Sequence, residues 1–154
     1  MCRAVRYLFG NSEQRVSFAD AAACLPVMTR SGGARLVAWG RRRIEEGTLP
    51  AGGWARIETV MAGAWDRWFP RPVRVPVLGF FEPDRKGRER AYELVRGQCL
   101  QGLLARDTDR SLRVYIVMIE PDGEDPLHSR WPRVIRIGAG DAATGWRAGA
   151  VPAA

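Results

Sequence analysis

Apolar positions along this chain fall mostly in short runs separated by turn residues, the pattern of strands. Residues 5–9 are apolar except for Arg6 and predict a strand that ends at Gly10-Asn11-Ser12. Ser17 with Asp20 three residues later is a helix-start signal, so the Ala-rich stretch 18–25 is expected to be a helix stopped by Pro26. Ser31-Gly32-Gly33 marks a hairpin turn, with residues 34–39 as the returning strand. Met61, Ala64, Trp65 and Trp68 recur at helical spacing and predict a second, core-facing helix over 61–69, closed by Pro70 and Pro72. Residues 74–81 read as one buried strand, and residues 92–95, 99–104, 112–119 and 134–137 as four more. Many short strands with two short helices predict an α+β fold. The expectation is a single compact domain over 1–138, built on a bent, barrel-like, mainly antiparallel sheet. Residues 139–154 are Gly/Ala-rich and are expected to form a loosely ordered tail.

Charge changes the picture most. The 154 residues carry a net charge of +7, and every basic residue but Lys86 is arginine. That excess points to a polyanionic partner, nucleic acid first, because guanidinium groups bind phosphate in a planar fork and stack on bases. Arg41-Arg42-Arg43 reads either as a solvated loop or as a phosphate-facing one. No apolar run approaches the ~18–20 residues that cross a bilayer, and no signal-peptide pattern follows Arg3 and Arg6, so a cytoplasmic location is expected. Three scattered cysteines form neither a disulfide framework nor a zinc site. No metal and no cofactor is expected, and Cys24 and Cys99 read as core residues.

Cys2 has distinctive chemistry. Removal of Met1 would turn it into a 1,2-aminothiol whose α-amine has a reference pKa of ~7.7–8.0, against ~10.4 for lysine. Such an amine attacks an aldehyde, and the neighbouring thiol closes onto the imine. Glu82 ends an apolar strand beside Phe80 and Phe81, where it is either an ordinary strand-end residue or a carboxylate tuned for proton transfer. His128 is the only histidine, either structural or a proton carrier near neutrality.

Five stretches carry a resemblance in order along residues 1–137: Met1-Cys2, Trp39-Gly40, Ala55-Arg56-Ile57-Glu58-Thr59, Pro76 with Gly79-Phe80-Phe81-Glu82, and His128-Ser129-Arg130-Trp131-Pro132. Together they resemble the SOS-response-associated peptidase (SRAP) family, whose members crosslink to abasic sites in DNA. The resemblance implies an α+β domain, removal of Met1 by self-processing, and a thiazolidine crosslink between Cys2 and the ring-opened sugar of single-stranded DNA. It assigns proton transfer to Glu82, sugar opening and crosslink reversal to His128, and a phosphate contact to Arg56. A cytoplasmic, nucleoid-associated monomer acting in the DNA damage response is then expected.

The chain also departs from that pattern. The family's glycine and arginine after the cysteine are Arg3 and Ala4, its active-site asparagine is Trp54, and the residue after its glutamate is Pro83. The methionine of the histidine motif is Trp131. Arg3 and Arg130 are candidate phosphate contacts. Trp54 and Trp131 serve either to stack on bases or to fill the core. These departures keep two other readings open: a binding module without crosslinking, and a thiol hydrolase using Cys2 and His128.

Overall fold

The computed structural model describes residues 2–121 and 130–137. Its strands in chain order are β1 (Ala4–Phe9), β2 (Ser12–Ser17), β3 (Cys24–Met28), β4 (Ala34–Trp39), β5 (Trp54–Arg56) and β6 (Arg71–Val75). They continue with β7 (Gly79–Pro83), β8 (Glu89–Glu93), β9 (Gln98–Arg106), β10 (Leu112–Ile119), β11 (Trp131–Pro132) and β12 (Val134–Arg136). One α-helix, α1 (Ile57–Met61), and a 3₁₀ turn, Asp66–Trp68, follow β5.

The smaller sheet runs β2-β1-β7-β8, antiparallel throughout. In the larger sheet the path is β12-β9-β10-β4-β3. Strand β10 takes β4 and then β5 in parallel along one edge, with β9 antiparallel to it; β6 pairs with β9. β9 and β10 are near-continuous apolar runs because both their faces are covered. Leu100, Leu104, Val114, Ile116 and Met118 face the core between the two sheets, shared with Val5, Tyr7, Trp39 and Phe80. The alternating Leu103, Ala105, Tyr115 and Val117 face a second cluster with Leu49, Val60 and Trp65. The outer face of the smaller sheet is charged instead: Arg6 bridges Glu13 and Glu93, and Arg15 lies over the Phe81 ring.

The mainly antiparallel sheet and short helix match the predicted class, but the sheets do not close into a barrel. Strands β3 and β6 come side by side without a hydrogen-bonded ladder between them. Pro26 in β3 and Pro72 in β6, neither with an N–H to donate, stand on the two strands that fail to pair.

Three element expectations are corrected. The helix predicted over 18–25 is a turn followed by β3: the Asp20 carboxylate accepts the Ser17 N–H at 2.8 Å, but Ser17 is the last residue of β2. The run 74–81 is two strands in different sheets, broken at 76–78, because its apolar residues serve a core that both sheets share. Residues 61–69 hold only the end of α1 and the 3₁₀ turn, separated at Gly63, whose φ of 84° leaves the helical region. Trp65 is buried there as its spacing predicts.

Candidate active site at the start of the first strand

Strand β1 begins directly after Cys2 and Arg3. The Arg3 N–H donates to the Phe81 carbonyl at 3.1 Å, and the Arg3 carbonyl accepts the Phe18 N–H at 3.0 Å. These bonds fix residues 2 and 3 between β7 and the turn after β2. Cys2 is 0% exposed, and its Sγ donates to the Ala4 carbonyl at 3.5 Å. Glu82, also 0% exposed, lies on the inner face of β7 with Phe80. Burial pushes the Cys2 thiol well above its ordinary range, and the nearby Glu82 carboxylate pushes it further. A protonated thiol and a buried carboxylate therefore share one end of the core, where the carboxylate can accept a proton from an N–H or S–H.

Aromatic residues wall this end of the core. Phe18 packs on Trp54 at 4.9 Å between ring centroids and on Trp39 at 5.6 Å, and the Trp39 indole donates to the Gly53 carbonyl at 2.9 Å. A Cβ at Gly53 would come within 2.7 Å of the Trp39 indole nitrogen and 2.8 Å of the Phe18 ring, so only glycine permits this packing. Trp54 is half-buried, with an indole N–H that is buried and has no hydrogen-bond partner among the described residues. Trp131 belongs to a second trio. It meets Phe80 at 5.1 Å and Tyr92 at 4.9 Å, both edge-on, joining β11 of the larger sheet to β7 and β8 of the smaller.

The remaining sequence-predicted residues are placed differently. Arg3 and Arg56 are exposed, Arg56 at the start of α1. Arg130 donates to Glu58 at 2.8 Å and lies 3.8 Å from Glu120, so two carboxylates already neutralise it. His128 lies outside the described residues, as does the tail from residue 138. Phe18, expected in a helix, is a residue the sequence pattern does not single out; the signal for its close aromatic packing is the Gly52-Gly53 pair, because a Cβ at Gly53 would meet both Phe18 and Trp39. Arg41 and Arg42, expected to face solvent or phosphate in a loop, do neither. Both point inward: Arg41 donates to the Leu49 and Glu45 carbonyls, and Arg42 to those of Trp39, Phe18 and Asp20.

Among the described residues, no group of three His, Cys, Asp or Glu could hold a metal ion. No helix there is long and apolar enough to cross a membrane. No protein-family model matches the chain, and no curated protein matches it. A crystal structure of a protein from Bordetella bronchiseptica, a structural genomics target, is similar to it with a TM-score of 0.57 and 16% identity. The match covers 87% of this chain and 83% of that one, and at this identity what the two are seen to share is a fold.

Proposed function

We propose that this chain binds single-stranded DNA and crosslinks abasic sites through Cys2 after Met1 is removed. The observation that carries this reading is the proximity of the Glu82 carboxylate to Cys2 at the start of β1. The order of the five motifs and the +7 charge support it. In the reaction, water hydrolyses the Met1–Cys2 bond and the freed amine adds to the sugar aldehyde. Loss of one water gives an imine; the thiol sulfur then bonds to the imine carbon while its proton passes to the nitrogen. Glu82 is the group positioned to move protons in these steps, with His128 its expected partner.

Two measurements on the purified protein test this. Its intact mass should lack one methionine, and abasic single-stranded DNA should give an adduct that survives a denaturing gel. Cys2→Ala should abolish the adduct while Cys24→Ala and Cys99→Ala keep it. Glu82→Gln should slow its formation by about 10²-fold. An adduct persisting at wild-type yield in Cys2→Ala would refute the mechanism. The complete burial of Cys2 favours a second reading, a module that binds without bonding; strand binding with no adduct would select it.

A further inference from the structure

The unpaired edges of β3 and β6 leave a cleft of about 810 Å³, lined by neither Cys2 nor Glu82. Arg30 at the hairpin tip, Arg35 on β4, and Arg71 and Arg74 on β6 line it, and no acidic residue does. Its floor is apolar. Val37 shares a face of β4 with Arg35, and Val73 shares a face of β6 with Arg71. A smaller cleft of about 440 Å³ adjoins it through Arg71 and Leu104, adding Phe69, Arg106 and one carboxylate, Asp66.

Two observations make this more than a basic surface. No carboxylate among the described residues forms an ion pair with Arg30, Arg35, Arg71 or Arg106, so four unneutralised guanidinium groups, not one, border the two adjoining clefts. Phe69 is 72% exposed and held in the left-handed region at φ 49°, ψ 57°, a conformation that costs a non-glycine residue energy. An aromatic ring in water on a strained backbone, at the end of a row of unpaired arginines, suits a ligand with negative charge at intervals and flat faces between. We infer that this groove is a second binding site for single-stranded nucleic acid, with the arginines on phosphates and Phe69 stacked on a base. A duplex hides its base faces from such a ring, and an acidic peptide offers flat faces only where it carries aromatic side chains, whereas a single strand offers one at every nucleotide.

The inference rests on the nucleic-acid reading above but uses none of the Cys2 chemistry. The test therefore uses the full chain carrying Cys2→Ala and an undamaged fluorescent oligo-dT of about 15 nucleotides, within the usual range of strand-binding sites. Phe69→Ala should weaken binding by about 5- to 150-fold, with Phe69→Trp restoring it. Arg35→Gln with Arg71→Gln should reduce the slope of log affinity against log salt by about 1.4, or ~0.7 for each phosphate no longer neutralised. Both arginine positions are at or near the surface, so melting temperatures should stay at the parent value. Parent affinity and slope in both variants would overturn the inference, even where abasic crosslinking by the wild-type chain succeeds. Polyglutamate competing as well as oligo-dT, charge for charge, would overturn it in favour of an acidic protein. A failure of crosslinking alone would leave the groove standing.

Discussion

At the scale of a residue, Cys2 shows how position and reactivity can oppose each other. The thiolate is the reactive form, and burial beside Glu82 holds Cys2 protonated. Cys99 is likewise buried, and burial pushes its thiol up to about 11. Cys24 is only half-buried, its Sγ donating to the Ala22 carbonyl at 3.4 Å. Brief treatment of the native protein with a thiol-alkylating reagent at pH 8 should therefore modify Cys24 and spare the other two, while denaturant should expose all three. Peptide mass mapping reads the outcome. Rapid native labelling of Cys2 would mean that its pocket opens without DNA, and would remove the argument from burial for a module that binds without bonding.

At the scale of elements, the long connection between β4 and β5 is tied down by charges turned inward. Arg41 and Arg42 consume carbonyls from one side. From the other, Asp107 accepts the Thr48 hydroxyl at 2.7 Å, the Thr48 N–H at 3.0 Å and the Thr108 N–H at 2.7 Å. Gly47 makes the approach possible, since its φ is 132° and a Cβ there would lie 2.3 Å from Asp107 Oδ2. Burial alone would raise the Asp107 pKa, but these hydrogen bonds outweigh it and hold the carboxyl well below the usual range. A folded-state pKa below the unfolded value of about 3.9 gives stability that is fully present above that pH and is lost as pH falls toward the folded value. Asp107→Asn should lower stability near neutrality by about 1–3 kcal/mol, because an amide N–H₂ replaces one acceptor. Melts from pH 7 to 2.5 should show the gap between wild type and variant shrinking below about pH 4. A gap constant with pH would mean the carboxylate charge contributes nothing.

At the scale of the whole molecule, two open sheets share one core, and aromatic contacts from Phe80 and Tyr92 to Trp131 join their edges. The ion pairs among the described residues leave arginines such as those of the β3–β6 groove without a carboxylate, in a chain whose net charge is +7. Strand binding should therefore be salt-dependent. About four phosphate contacts on a single strand predict at least a tenfold loss of affinity between about 50 and 200 mM salt. Anisotropy titrations across that range provide the check, and affinity indifferent to salt would remove the electrostatic case altogether.

The sequence by itself determined the features that depend on near neighbours along the chain. Residues 112–119 are apolar enough, and long enough, to be strand wherever they pack, and they form β10. The Ser31-Gly32-Gly33 turn needs only a local left-handed step, and Gly32 takes it at φ 87°. Cys2 and Glu82 were likewise legible as candidates, one from its place behind Met1 and the other from its apolar neighbours. Tertiary structure decided what distant residues do together. The capping pair Ser17 and Asp20 serves a turn because β1 pairs with the preceding strand as far as Ser17, and propensity is too weak to resist that pairing. The apolar run 74–81 is divided because one core is faced by two sheets, which hydrophobicity alone cannot express. Whether an arginine points inward, as Arg41 and Arg42 do, or lines an open cleft, as Arg35 and Arg71 do, depends on which carbonyls and carboxylates the fold brings within reach. Charge count is a property of the chain; charge left unpaired is a property of the fold.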